Sequence, residues 1–437
     1  MYKFSHIPVD TPKIKTKNRT IKTKIPSPET VSILEDCMTY EPASMNDQLP
    51  VAWDKAYDFN VYDKSGNKWI DFTSSIFVTN VGHSNKDVQK AILKTCKKQL
   101  LNSYYYPTKE RNKLSKLIIQ NSPKNLGKVL FLSTGSESVE AAIKMSLLYT
   151  GRKKILSFDQ GFHGKTMGSS MACGKGNDWV PVKSFVKHLP FPNEWDMKSS
   201  PENFFEQSVK NLKPNEYAAF IIEPYQGWSA SFLPTEYAQK LESWCKSNGI
   251  LLIVDEIQSG FGRTGKFFAF EHFKISPDII TCAKGISSSL PLSCVISKSS
   301  IVDTSSSFNS THGSNPAAVA ASTASINYLI KNKLVEQSKN KGDLMLKFLK
   351  KWQKEQPHLI KRISCRGLLA SVFINSPDGN DSDFVDKIIE TAMRKGLLSV
   401  RTMSGTLKIG PPLTITKSAL IEGLEILKES LEECLGM

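Results

Sequence analysis

Several features are scarce in this chain of 437 residues, and each shortage excludes something. No stretch offers the roughly 18 uninterrupted apolar residues of a membrane-spanning helix, so no membrane role is expected. The eight cysteines (37, 96, 173, 245, 282, 294, 365 and 434) form no C-x-x-C pair. That spacing argues against a disulfide framework or a zinc site and fits a reduced, cytoplasmic setting. The seven histidines show no H-E-x-x-H spacing, so no metal is expected either. Acids are outnumbered, 42 Asp and Glu against 57 Lys and Arg, leaving a net charge of +15. Such an excess invites a nucleic-acid reading, yet the cations are spread along the whole chain and aromatics do not interleave with them. A lysine-rich solvated surface is the expectation, with no nucleic-acid partner. The opening MYKFSHIPVDTPKIKTKNRTIKTKIP is basic but has no apolar centre, so a secretory signal is not expected and the segment reads as a polar arm that is either mobile or draped over a neighbour.

What is present is alternation. Short apolar runs at Lys128–Leu132, Lys154–Phe158, Ala218–Glu223, Ile250–Asp255, Ile279–Cys282 and Ser293–Ser297 alternate with helical patterns near 86–100, 109–120, 137–149 and 235–247. This predicts βαβ units and a mostly parallel sheet, an α/β fold. Phe59–Tyr62 and Lys68–Phe72 flank a turn and read as a hairpin. Beyond about residue 326 the texture changes to a lysine-rich helix, strands near 367–374 and 407–409, and a final amphipathic helix near 417–434. The expected division is an arm and hairpin segment over 1–75 that packs with the small domain, a large domain over 76–325 and a smaller α+β domain over 326–437.

Three short segments carry chemistry. The first is GILLIVDEIQSGFGRTG (249–265), where five branched aliphatics end abruptly in Asp255 and Glu256. The run reads as a strand covered on both faces, and charges at its C-terminal end sit where open α/β sheets bind ligands. GFGRTG matches G-x-G-x-x-G, but its acids precede the glycines and no good helix follows, so a glycine-rich turn is the better reading. The second is CAKGISSSLPLS, with Lys284 directly after the apolar SPDIITCA. By itself it reads either as a solvated strand-end lysine or as a desolvated amine able to attack a carbonyl. The third is LFLSTGSESVEAAI (130–143), a strand, a small polar turn and a helix start. That turn is either a plain N-cap or an anion site. A phosphate cradle, a strand-end carboxylate and a strand-end lysine, together in one α/β domain, are the handles that pyridoxal 5'-phosphate needs. Asp255 would then keep the pyridine nitrogen protonated.

At this point the chain resembles the class III (ω-amino acid) pyridoxal-phosphate-dependent aminotransferases. The resemblance runs from about Trp53 to Leu413 and includes IDFTSSIFVTNVGH, STGSESVEAAIK, FDQGFHGKT, AAFIIEPYQG, LLIVDEIQSGFGRTG, CAKG, THGSNP and LKIGPPLT. It implies a fold type I transferase, a large domain with a mostly parallel sheet plus a smaller α+β domain. It implies Lys284 as the aldimine lysine and Asp255 as partner of the ring nitrogen. Gly135 and Ser136 would bind the phosphate, Phe162 would stack on the ring, and Gln258 would lie near the phenolic oxygen. Thr311 would reach the phosphate of a neighbouring subunit, which implies a homodimer with shared active sites. Glu256 is expected to be structural, and Glu223 to face the cofactor's edge.

The sequence also departs from the family pattern. Lys408 stands where many members carry an arginine that grips a substrate carboxylate, and a point charge is no substitute for a fork. Trp228 stands where many carry the glutamate that pairs with that arginine. Either Lys408 holds the carboxylate alone or the pocket suits a different amine. Ile76, Phe77 and Tyr104–Tyr106 are further pocket candidates. Small-molecule amine donors and keto-acid or aldehyde acceptors are the expected substrates. Epimerases, aminomutases and a decarboxylase share the same handles and stay open as alternatives, as does a non-catalytic protein that keeps the fold.

Overall fold

A computed structural model describes residues 3–45, 47–175, 179, 184–402 and 405–436. The chain divides into two units, one formed by Met1–Asn85 with Gln337–Met437 and the other by Lys86–Glu336.

The Lys86–Glu336 unit is built on a seven-stranded sheet. Its strands are β6 (Lys128–Leu132), β7 (Lys154–Phe158), β8 (Val186–Leu189), β9 (Tyr217–Ile222), β12 (Leu251–Asp255), β13 (Ile279–Cys282) and β14 (Ser293–Ser297), in the order β6-β14-β13-β12-β9-β7-β8. A small ladder, β10 (Tyr225–Gln226) with β11 (Ser231–Phe232), lies outside it. Every residue of β9, β12, β13 and β14 is buried, as expected for strands covered on both faces. The helix Gly135–Thr150 covers part of the sheet, bringing Val139, Ala142, Ile143 and Met145 against Ile155, Ile221, Ile253 and Val295.

The sheet is mostly parallel, with one reversal. β14 is antiparallel to both of its neighbours, β13 and β6. Residues 283–292, the link from β13, are fewer than the dozen or more that a parallel crossover needs, so the chain can only turn back. β6 therefore runs in the same direction as β13, β12, β9 and β7. The C-terminal ends of these five strands lie at one edge of the sheet, where ligands bind in such folds.

The other unit holds two sheets. The first contains β1 (Ile14–Lys15), β2 (Thr20–Ile21), β3 (Lys55–Tyr57), β4 (Asn60–Tyr62) and β5 (Lys68–Asp71), ordered β1-β2-β5-β4-β3. The strand β17 (Leu397–Leu398) pairs in parallel with β5. The second, β15-β16-β19-β18, is formed by Ile360–Arg366, Leu369–Ile374, Thr406–Ile409 and Val400–Arg401 respectively. Ile21, Ile25, Val61, Trp69, Met393 and Leu398 form a core, and Trp69 Nε1 donates to Met393 O at 2.8 Å. The basic opening is thus not a loose arm. Ile14 and Ile21 alternate with lysines, a period of two that pins the segment as a hairpin onto this core. No helix among the described residues is long and apolar enough to cross a membrane.

Candidate active site

The end of β12 is the natural place to begin. Asp255 is its last residue, is buried, and uses both carboxylate oxygens: His163 Nδ1 donates to Oδ2 at 2.8 Å and Ile257 N to Oδ1 at 3.1 Å. Burial pulls the His163 pKa down. The hydrogen bond to Asp255 and the charges of Asp255 and Glu223 outweigh it and leave His163 above its ordinary value. The raised pKa favours the protonated imidazole, which donates to Asp255 from behind.

Two residues after β13 stands Lys284, opening a short 3-10 turn with φ 44°. Burial lowers the pKa of its amine, and the charges of Asp255 and Glu223 partly restore it. A lysine placed this way keeps a larger neutral, nucleophilic fraction than one in water. A left-handed backbone at a non-glycine residue also carries strain, which is commonly stored at functional sites.

Glu223 follows β9. It is buried, which pushes its pKa up to about 7; the charge of His163 opposes this rise and that of Asp255 adds to it. Its two oxygens accept from Phe162 N at 2.8 Å and Gly227 N at 2.9 Å. One carboxylate thereby ties together the loops that carry Phe162 and Trp228, whose rings lie 6.3 Å apart and tilted by 33°. Gln258 lies on the same side of that loop, since a side chain added at Gly227 would meet Gln258 Oε1 at 3.0 Å.

The turn after β6 is the candidate anion site. Thr134 caps the helix Gly135–Thr150 through a reciprocal bond with Glu137, whose carboxylate also takes the amide of Ser133 at 3.0 Å. The amides of Gly135 and Ser136, in the first turn, have no intrahelical acceptor. Both stand at the positive end of the helix dipole. Ser136 Oγ accepts from Lys165 N at 3.1 Å, and Gly164, at φ 139°, passes so close that any side chain there would run into Ser136 and Ser169. A Cβ on Gly135 would meet Ile257 at 3.0 Å and Ala283 at 3.5 Å. The helix start therefore abuts the chain neighbours of both the acid and the lysine.

These groups suit pyridoxal 5'-phosphate: a helix start with free amides, a buried carboxyl group and a desolvated amine lie at one sheet edge, with an aromatic ring, Phe162, that is 37% exposed. Glu256, next to Asp255, belongs to the framework. It is fully buried, its pKa raised to about 7 by burial, and it accepts from Ser259 Oγ and Phe270 N, each at 2.8 Å. These bonds hold the glycine-rich turn in place. Among the described residues no group of three or more His, Cys, Asp or Glu could hold a metal.

The remaining candidates fall elsewhere. Thr311 is exposed, and Tyr104, Tyr105 and Tyr106 form an exposed aromatic ladder. Ile76 and Lys408 belong to the first unit. Ile76 is 46% exposed, while Lys408 is 5% exposed with its ammonium 4.8 Å from the Phe77 ring centroid. Ser74–Phe77 form a left-handed turn, with φ of 49°, 52°, 58° and 66°. Thr73 caps it, and Asp71 in turn accepts from Thr73 N and Thr73 Oγ1, each at 2.7 Å. Reading the sequence did not single out His163 as the partner of Asp255. Its one local signal was adjacency to Phe162 in GFHG.

Comparison with known proteins gives a consistent result. Residues 42–431 match the model for aminotransferase class-III. The chain is 32% identical over 390 residues to an acetylornithine aminotransferase of Methanopyrus kandleri, covering 88% of this chain and 95% of that one. It is 32% identical over 414 residues to a leucine/methionine racemase of Thermococcus litoralis, covering 90% and 93%. Among solved structures, an S-selective transaminase from Bacillus megaterium superposes with a TM-score of 0.84 at 27% identity, covering 92% of this chain and 97% of that one.

Proposed function

This chain belongs to the class III aminotransferase family, and from that premise we propose how its residues move an amino group from a donor to an acceptor. Pyridoxal 5'-phosphate, when bound, supplies the electron sink for the bond broken in the donor. Gly135 and Ser136 hold the phosphate through helix-start donors. Asp255, steadied by His163, keeps a proton on the ring nitrogen. Phe162 and Gln258 would help to hold the cofactor's ring, and Glu223 fixes the loops that carry Phe162 and Trp228. Lys284 Nζ would hold the cofactor, and its desolvated amine is the base that would take the proton from the donor's nitrogen-bearing carbon. The single observation that carries this reading is the packing of Gly135 against Ile257 and Ala283, which supports one pocket for phosphate, acid and amine.

The donors are small amines or amino acids and the acceptors keto acids or aldehydes. Lys408 offers a point charge where many family members carry a fork, which supports altered handling of glutamate and 2-oxoglutarate. Thr311 completes the phosphate site of a second copy, making the working form a homodimer. All eight cysteines are free thiols, in keeping with work in the cytoplasm.

The test uses the purified protein loaded with cofactor. It is expected to be yellow, to bleach on borohydride with the label fixed on Lys284, and to lose more than about 10³-fold in turnover as Lys284→Ala. A variant that still transaminates at speed, or a label found on another lysine, overturns the assignment. The Thermococcus litoralis racemase, as similar to this chain as the aminotransferases are, supports a second reading, epimerisation on the same handles. Products assayed with and without a keto-acid acceptor separate the two, because only transamination requires the acceptor.

A further inference from the structure

The sheet β1-β2-β5-β4-β3 has one apolar face and one cationic face. Ile21, Val61 and Trp69 are buried on the first, with Ile14 packed partly against them. On the second, directly opposite residues line up across all five strands: Lys15 with Thr20, Thr20 with Lys68, Lys68 with Tyr62, and Tyr62 with Lys55. Continuing the β1–β2 register by one residue sets Lys13 opposite Lys22. Like charges facing each other across a ladder repel, so this arrangement works against the hairpin unless something compensates.

Among the described residues nothing does. Lys13, Lys15 and Lys22 are exposed, and no ion pair joins any of them to a carboxylate among the described residues. The nearby charges are engaged otherwise. Lys24 pairs with Asp10 at 3.2 Å, and Glu29 accepts from Ser65 Oγ at 3.3 Å. Glu422 is taken up by Arg19, Asn18 and Thr16 at 2.7–2.8 Å. Lys68 donates to Lys17 O at 2.8 Å, and the Lys55 ammonium sits 5.6 Å from the Tyr62 ring centroid.

Lys13, Lys15, Lys22 and Lys68, together with the hydroxyl-bearing Thr20 and Tyr62, Gly66 and the apolar Ile14 and Ile21, line an open concavity of about 600 Å³ that has no carboxylate in its wall. That volume is in the range of small-molecule sites. Gly66 closes one side so tightly that a side chain there would meet Lys22 Nζ at 3.1 Å. At sheet spacing the lysine positions lie about 5 to 10 Å apart, so their long side chains can converge, and four positive charges are matched better by two or three linked phosphates than by one. We propose that this hollow binds a small oligophosphate anion, a di- or triphosphate group that is either free or the tail of a nucleotide. The lysines act as point charges on successive phosphates, and the two hydroxyls donate to the oxygens between them. None of these residues has a role in transamination, so the site stands or falls separately from that reaction.

Calorimetric titration of the cofactor-loaded full chain tests the proposal, with inorganic tripolyphosphate and ATP as probes at one fixed ionic strength. Tripolyphosphate is expected to bind with one-to-one stoichiometry. The triple variant Lys13→Gln/Lys15→Gln/Lys22→Gln is expected to weaken it at least tenfold while turnover is unchanged. A control triple, Lys90→Gln/Lys94→Gln/Lys97→Gln, should leave binding within twofold. Equal affinity for the two probes marks a site for the phosphate chain alone, whereas tighter ATP binding that Tyr62→Leu abolishes marks a nucleotide site. Absent binding, equal weakening by both triples, or capture of single-stranded oligonucleotides with affinity rising with length but none of tripolyphosphate would each overturn it.

Discussion

The two units each end a buried strand in an aspartate paired with a histidine. Asp71 closes β5 and meets His83 Nε2 at 2.7 Å; Asp255 closes β12 and meets His163 Nδ1 at 2.8 Å. The pairs are alike in burial and length, so neither property tells a scaffold from a reactive centre. Their surroundings do. The second oxygen of Asp71 is saturated by two donors of Thr73, and the whole assembly serves to cap a turn. Asp255 gives its second oxygen only a single backbone amide, and lies within electrostatic reach of a desolvated lysine and a carboxylate pushed up to about 7. Perturbed titration beside a buried pair, more than the pair itself, marks the reactive end.

The sharpest way to break this contrast is to neutralise both acids. Asp255→Asn should keep its fold and lose about 10²–10³-fold in kcat, the usual cost of removing one preorganised electrostatic contact. Asp71→Asn should do the reverse, losing about 2 kcal/mol of stability, read as a lower Tm, with most of its activity intact. If the two variants behaved alike, the distinction would fail.

His163→Gln should have a smaller effect, about tenfold on kcat, and a pH signature in stability. Because the folded pKa of His163 is raised above 6.5, its contribution is fully present below that pH and is lost as pH rises through the folded value. The Tm gap between wild type and variant should therefore narrow on going alkaline. Glu223→Gln is the mildest change, since an amide keeps one acceptor for Phe162 N or Gly227 N. The carboxylate binds its proton more tightly when folded, so stability falls as pH climbs from 4.5 through about 7. The variant's melting curve should be flatter across that window, and an unchanged slope would remove Glu223 from the titrating set.

Much of this was legible in the sequence. Apolar runs that end in a charge, such as LLIVD and IITCAK, announce buried strands and place Asp255 and Lys284 at the same sheet edge. Other features depend on contacts that no local pattern encodes. The reversal of β14 follows from the length of a connection, a clue that was present but outweighed by the expectation of parallel crossovers. The bond from His163 to Asp255 spans 92 positions and was invisible until the chain folded. In the opening segment the lysines hid a two-residue period of isoleucines. The turn at Ser74–Phe77 contains no glycine, so nothing in SSIF signals a left-handed path, which tertiary packing imposes.

That turn has a consequence for how such an enzyme diversifies. Its course is dictated from outside, by the Asp71–Thr73 cap and by buried Ser74 and Phe77, while Ser75 and Ile76 project outward. Residues whose backbone is set by neighbours are released from conformational selection of their own. Substitutions at 75 and 76 can then drift among side-chain shapes, generation after generation, without the loop ever changing its path.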